Sequence, residues 1–420
     1  MEEMKLKEVI IKHYKSIKEP VHLRDFSNFH ILVGPNNAGK TNILDAINLF
    51  FDENLEEDRF FDRDASIELT VSLENKEHTL ALKNGKLTES SNLNLKDSFV
   101  RIGERIDYPE VAGRLKEFKE KYPKEYEELS STLKKYFNEM EISEELFVFN
   151  IYADKKKRSE KRIGDGFKRL FVILFYIFHP QYKIILIDEP EAHLHPSVIR
   201  RFLHVLKNKC HKKQVFFTTH HPSFVQANHL PNTWRVTRNE NQSTCVHGFY
   251  GKNIDLNRFV QEINDDNSAM LFADKVLLVE GISDRIFMRE LLNRFYEKDK
   301  DIKVVYTSGK GSVDIYATLC DIFDIPYAIM LDRDAINSSS LRKTRRFPKL
   351  NKRMSLRDKI EKLKENEIFI LEKDLEHTYP REYKSKENKP LAALHVSQKI
   401  TKEDLQGKKM RTIREILKTI

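Results

Sequence analysis

Residues Gly34-Pro35-Asn36-Asn37-Ala38-Gly39-Lys40-Thr41 lie between an apolar run, Ile31-Leu32-Val33, and a stretch with Ile43, Leu44, Ile47, Phe50 and Phe51 at helical spacing. A strand, a G-x-x-x-x-G-K-[ST] turn and a helix, in that order, form a loop whose backbone amides close round a phosphate. The helix N-terminus adds a dipole that favours anions there. Lys40 is placed to reach the terminal phosphates and the Thr41 hydroxyl to hold magnesium, with Asn36, Asn37 and Gly39 in the cradle. Glycine is scarce in this chain, 13 in 420 residues, less than half the usual ~7%. Each glycine therefore marks a backbone need, and a chance match to the loop pattern is rare.

The second half of such a site is Ile184-Ile185-Leu186-Ile187-Asp188-Glu189-Pro190, a buried apolar strand ending on two acids. Asp188 suits the water shell of a magnesium ion, and Glu189 suits orientation or deprotonation of an attacking water. Acids and imidazoles alternate in Glu191-Ala192-His193-Leu194-His195, but neighbours at spacing two diverge on a helix, which weakens a metal reading. His220, after the apolar run 214–219, is placed to sense a γ-phosphate. Uninterrupted apolar runs at 183–187 and 214–219 predict parallel strands covered on both faces. Strand character is also read at 7–11, 30–33 and 66–73. Residues 109–141 read as a helical insert, broken by Pro123 into two helices, with a buried stripe of Leu115, Phe118, Tyr126, Leu129, Leu133 and Phe137.

From residue 275 a second alternating series begins: strand 275–279, helix 284–295, strand 303–306, helix 313–323, and strands 327–331 and 367–371. Alternation of this kind predicts a second parallel sheet. Its strands end on Glu280-Gly281-Ile282-Ser283-Asp284, on Tyr306-Thr307-Ser308-Gly309-Lys310-Gly311 and on Asp332-Arg333-Asp334. Strand C-termini of a parallel sheet face one crevice, so Glu280, Asp332 and Asp334 are expected to meet there. Clustered carboxylates repel one another and call for oxygen-binding cations, Mg²⁺ or Mn²⁺. Two such ions about 4 Å apart clamp the attacking and leaving oxygens of a phosphodiester. Residues 259–272 read as a connector, 341–353 as a basic loop, and 378–420 carries no motif.

The N-terminal segments resemble the ATPase heads of the ABC superfamily, of the SMC and RecF kind, whose opening strand is echoed at 10–15. Gly164-Asp165-Gly166-Phe167-Lys168 stands where that family keeps its signature. It lacks the signature serine, so the resemblance implies ATP binding across a head-to-head dimer without implying rapid hydrolysis. The Glu-Gly and Asp-x-Asp pattern resembles the Toprim domain of topoisomerases, primases and nucleases. An ABC head followed directly by Toprim resembles the OLD (overcoming lysogenisation defect) nucleases of prokaryotes. That resemblance implies Asp284 and Glu376 as further metal ligands and Lys389 as a lysine that offsets transition-state charge. It also implies an ATPase domain over 1–258, a Toprim nuclease domain over 259–420, a DNA substrate and a role in anti-phage defence. A partner protein or nucleic acid encoded nearby is a further implication.

Composition agrees with this reading. Charged residues make up 33% and hydrophobic residues 40% of the chain, which excludes wholesale disorder. The start, Met1-Glu2-Glu3-Met4-Lys5, is charged and unlike a signal peptide, no apolar run suits a membrane, and a cytoplasmic protein is expected. Three scattered cysteines exclude a disulfide framework and a zinc knuckle. A net charge of +8 permits a polyanionic partner, for which the basic stretches 155–169 and 341–353 are candidates. Two rival functions remain open from the sequence: a DNA-repair ATPase whose Toprim domain is only a scaffold, and a topoisomerase-like enzyme.

Overall fold

The computed structural model describes residues 5–49, 66–73, 76–83, 86–87, 96–103, 107–137, 140–142, 149–151, 164–249, 257–351, 353–383 and 388–420. The chain divides into two compact units, Met1–Val225 with His229–Lys252, and Gln226–Asn228 with Asn253–Ile420. Each is described by itself.

The first unit holds two sheets. A six-stranded sheet runs Thr244–His247, Thr233–Arg238, Phe29–Val33, Gln214–Thr218, Ile184–Ile187, Phe99–Ile102, parallel except at its first pair. The strands Ile184–Ile187 and Gln214–Thr218 are buried at every position, as their unbroken apolar runs predict. A five-stranded antiparallel sheet contains Lys5–Lys12 between Val21–Arg24 and Ser66–Leu73. The helix Lys40–Asn48 joins the two: its Ile43, Leu44 and Ile47 share one core with Leu6, Val9 and Ile11 of the antiparallel sheet and with Leu186, Phe216 and Trp234 of the mixed one.

The insert differs from expectation. It forms three helices, Tyr108–Gly113, Leu115–Lys121 and Pro123–Tyr136, followed by a strand, Met140–Ile142, within the stretch read as helical. Gly113, a poor helix former, closes the first helix, and Pro123 opens the third at the position where its missing N–H does no harm. All six residues of the expected stripe are buried. They pack toward the helix Asp165–Phe178, which is apolar all round from Leu170 to Phe178 and buried throughout that span. Phe118 stacks on His179 with ring centroids 5.0 Å apart and meets Phe175 edge-on at 5.2 Å.

The second unit is built on a four-stranded parallel sheet in the order Ile302–Tyr306, Lys275–Val279, Tyr327–Leu331, Ile368–Ile370. The structure adds elements to two stretches, 259–272 and 378–420, and corrects one expectation, that 341–353 is a loop. The stretch 259–272 folds into short helices, Asn257–Glu262 and Asp265–Ser268, the latter capped by the Asn264 side chain. The basic stretch 341–353 begins inside a helix, Ser339–Lys343, because Leu341 is fully buried. Residues 378–420 carry three helices, Lys389–Lys399, Lys402–Gln406 and Arg411–Thr419. Ala393, Val396, Ile413 and Ile416 from them join the core of the sheet and of the helix Ile282–Phe295. Among the described residues no helix is long and apolar enough to cross a membrane.

Truncating Phe175 tests the insert packing. Phe175→Ala leaves a hole between the insert and the buried helix, and is expected to destabilise the first unit by about 3–5 kcal/mol. Chemical denaturation followed by circular dichroism reads this as an earlier first transition, and an unmoved transition would contradict the packing.

Candidate functional site

In the first unit, the elements that carry the nucleotide motifs end side by side. Phe29–Val33 delivers the loop 34–41, and its parallel neighbour Gln214–Thr218 delivers His220. The next strand, Ile184–Ile187, delivers Asp188 and Glu189. Gly39 opens the helix at φ 105°, and a Cβ there would lie 2.2 Å from the Thr244 hydroxyl oxygen, so only glycine fits. No side chain caps that helix, which leaves its first amides open to an anion. Asn36, Asn37 and Thr41 are exposed at the same turn.

Lys40 is buried, and its Nζ donates to the carbonyls of Gly34 and Pro35, each at 2.9 Å. Burial lowers its pKa to about 8, against the pull of Glu189 and Glu191. A lysine so desolvated gains from a phosphate at the loop. His220 Nε2 lies 3.4 Å from Glu189 Oε1. Burial, then the Lys40 charge, lowers the His220 pKa, so the imidazole is neutral near pH 7. Lys40, Glu189, Glu191 and His220 therefore act on one another electrostatically. Glu189 has a left-handed backbone, φ 45°, a conformation that side chains rarely hold without reason.

Three residues at this site had no role assigned from the sequence, and a fourth, Glu191, was weighed there only as a metal ligand. Arg101, on the neighbouring strand, pairs with Asp188 at 2.8 Å and with Asp45 of the loop helix. Arg169 is buried and donates to the carbonyls of Gly103, Asp188 and Glu189. Thr218 Oγ1 donates to Asp188 at 3.2 Å. Glu191 accepts from the Thr219 hydroxyl and the His220 amide, while its Oε2 is buried without a hydrogen-bond partner. Glu191 is thus tied into the nucleotide turn, and His195 caps the helix Pro196–Lys209, so the two do not share a metal. In the signature segment Gly164 is the exposed cap of Asp165–Phe178. Gly166 is buried, and a Cβ on it would sit 2.3 Å from the His193 carbonyl oxygen. Its missing side chain serves packing within the chain. Of the basic stretch 155–169, residues 155–163 lie outside the described residues.

In the second unit the carboxylates meet at the sheet's switch point. Lys275–Val279 pairs on one side with the strand that follows it and on the other with Tyr327–Leu331, so the crevice opens between Val279 and Leu331. Val279 is in register with Met330, so Glu280 leaves its strand opposite Leu331 and one residue short of Asp332, on adjacent strand ends. The Asp332 amide steadies the Glu280 carboxylate, although burial and Asp334 raise the Glu280 pKa, and Oε2 of Glu280 is buried without a partner. Burial pushes Asp332 up to about 7, reinforced by Asp284, Glu280, Asp374 and Glu376. Asp284 is pushed up to about 6 by burial, partly offset by the Gly281 amide that donates to it at 2.8 Å. Five predicted residues thus share one field, together with Asp374, which was not singled out.

Two lysines counter that field. Lys389 Nζ lies 3.0 Å from Glu376 Oε1, and Lys310 pairs with Asp334. Lys310 had no role of its own in the sequence reading, which singled out only the glycine-rich turn that contains it. Among the described residues no three acids are closed round a single cation position, since lysines and the Gly281 amide hold three of them. The donor set nonetheless fits a divalent ion: all oxygen, partly buried, mutually repelling, with one orphaned carboxylate oxygen. The basic stretch 341–353 is partly spent on structure, because Arg346 binds the Tyr327 carbonyl and Glu367.

Residues 271–334 match the family model of the overcoming lysogenization defect protein-like TOPRIM domain. Residues 4–99 match an AAA ATPase domain, and residues 72–226 an AAA domain described with the AbiEii toxin of a Type IV TA system. Along the chain, matches to AAA ATPase models are thus followed by a match to an OLD-like TOPRIM model. It is 30% identical to an OLD nuclease of Thermus scotoductus over 167 residues, covering 36% of this chain and 30% of that protein. It is 25% identical to the endonuclease GajA of Bacillus cereus over 236 residues, 52% of this chain and 40% of that protein. The chain thus spans less than half the length of these curated relatives. The SMC head domain of Thermotoga maritima is similar at TM-score 0.41 and 21% identity, over 58% of this chain and 98% of that one.

The carboxylate field has a signed consequence. Asp332 and Asp284 have folded pKa values of about 7 and about 6, above their ordinary 3.8. Their protonated forms stabilise the fold below about pH 4, and that contribution is lost as pH rises to about 7. Mn²⁺ competes with those protons, so it is expected to raise the thermal midpoint more at pH 8 than at pH 5. Asp332→Asn is expected to raise the metal-free midpoint at pH 8 and shrink the Mn²⁺ shift. Equal shifts at both pH values in both proteins would refute a shared cation site.

Proposed function

We propose that this chain is an ATP-binding, ATP-hydrolysing and divalent-metal-dependent DNA endonuclease of OLD type, with its ATPase domain over 1–258 and its Toprim nuclease domain over 259–420. The observation that carries the reading is the meeting of Glu280 and Asp332 at the switch point of the second sheet, within one repulsive carboxylate field. Bound there by Glu280, Asp284, Asp332, Asp334 and Glu376, Mg²⁺ or Mn²⁺ would supply Lewis acidity and a more acidic water. Glu280, with an unpartnered buried oxygen and a pKa raised by burial and Asp334, is suited to take the proton of the attacking water. Lys389 and Lys310 face the same field and offset negative charge on the phosphodiester.

In the first unit Lys40 and the open amides of the loop hold the nucleotide phosphates, with Thr41 and Asp188 at its magnesium. Arg101 and Thr218 hold the Asp188 carboxylate in place, Glu189 orients water, and His220 lies beside it. A homodimer or higher oligomer through the ATPase heads, with Gly164 facing a partner's nucleotide, belongs to the same proposal. So do a cytoplasmic location and anti-phage defence, with a partner protein or nucleic acid. The carboxylate field favours cutting over a scaffold role, because a passive scaffold has no use for acids that destabilise the sheet.

Plasmid nicking with Mn²⁺ or Mg²⁺, with and without ATP, tests the reading. Asp332→Ala is expected to lower the rate by at least about a hundredfold, the scale of losing a charged group acting in the transition state, while ATP binding persists. Lys40→Ala is expected to lose ATP binding and keep the metal site. Unimpaired nicking by the Asp332 variant would defeat the assignment, and protein-linked DNA after denaturation would favour a topoisomerase.

A further inference from the structure

A concave cavity of about 720 Å³ lies in the second unit, walled by the helix Leu356–Lys364, the end of the strand Ile368–Ile370 and the start of the helix Arg411–Thr419. It adjoins the carboxylate crevice along the chain: Arg333 follows Asp332 directly, and Lys373 precedes Asp374. Seven lysines and arginines line it against three glutamates. Two of the glutamates are already engaged. Glu415 lies 3.0 Å from Lys364 and 3.1 Å from Arg411, and Glu361 lies 3.8 Å from each of the same two cations.

Of the remaining cations one, Lys373, has an acidic partner, Asp374 at 3.9 Å. Among the described residues Arg357, Lys408 and Lys409 have no acidic partner, and Arg333 reaches only the Glu372 carbonyl at 3.5 Å. These groups come from separate elements yet face one hollow, so their mutual repulsion is relieved by an anion with several charges. The hollow is not purely polar. Leu356, 38% exposed, lines it together with Ile360 and the exposed residue His377. Apolar and aromatic surface among cations is the chemistry that receives unstacked bases beside their phosphates. A duplex keeps its base faces inside and meets a hollow only at the rim, whereas a cavity of this size takes a ligand of pocket dimensions, on the order of 300–1,000 Å³.

We propose that this cavity seats a single-stranded stretch of nucleic acid adjoining the phosphodiester addressed by the carboxylate crevice. The proposal rests on the nuclease reading only for the word adjoining, and binding tests it without cutting. Fluorescence anisotropy of the full chain in EDTA, with a labelled oligothymidylate and a blunt duplex of equal length, reads the seat directly. Lys408→Glu with Lys409→Glu is expected to weaken single-strand binding at least about tenfold and to lower the salt slope by about one to two. Duplex binding should change less than about twofold, the bulk of its contacts lying elsewhere.

Arg357→Glu, on a different helix, should act in the same direction and serves if the double variant does not fold. Lys399→Glu, exposed on Lys389–Lys399, is the matched charge control and should have no such effect. Unchanged single-strand affinity in the Arg357 and double variants overturns the proposal. So does an equal loss for duplex, or displacement of the oligomer by thymidine monophosphate at the oligomer's own concentration, which would make the hollow a mononucleotide pocket. A chain that proves unable to cut would still give these binding results, and a failed seat would leave duplex nicking unaffected.

Discussion

Like charge held at close range organises the second unit. A parallel sheet sends its strand C-termini to one edge, and in the order found here the first and third strands flank the point where the crossovers part. Burial there, reinforced by the neighbouring acids Glu280 and Glu376, raises the pKa values of Asp284 and Asp332 to about 6 and 7. The fold tolerates this because the hydrophobic core beneath is large and because Lys310, Lys389 and the Gly281 amide each quiet one acid. A site assembled against its own electrostatics is a signature of function, since stability alone would favour neutral side chains there.

The first unit solves the opposite problem. At its nucleotide turn two acids are clamped: Asp188 by Arg101 and Thr218, Glu191 by Thr219 and the His220 amide. Arg169 collects three carbonyls at the end of the acidic strand and so fixes the backbone that presents Asp188 and Glu189. Buried Arg169 and half-buried Arg101 thereby do for this turn what capping does for a helix, satisfying acceptors that the sheet cannot reach.

How much was legible depended on burial. Strands covered on both faces read almost without error, and Lys275–Val279 and Tyr327–Leu331 are found where their unbroken apolar runs put them. The acids at their tips were legible for the same reason, since the strand ends locate them. The C-terminal helices were not, because their apolar residues are sparse among lysines, although Thr401 with Asp404 forms a capping box and Ile413, Ile416 and Ile420 fall at helical spacing. Arg101, Lys310 and the cations of the hollow were missed on different grounds. Each is one charged residue among many, and only the tertiary fold brings Arg333, Arg357 and Lys408 to a common wall.

The helix Lys389–Lys399 links two of these themes. Its first residue is the lysine that answers Glu376, and one turn on, Ala393 and Val396 are pressed into the core beside Leu291 and Leu292. Counter-charge and hydrophobic interior are therefore welded into one rod. Drift in the sequence cannot relocate the lysine without repacking the interior, nor loosen the interior without swinging the lysine away. The tail of this chain, which looks like the least distinctive part of it, is the part with the least freedom to wander.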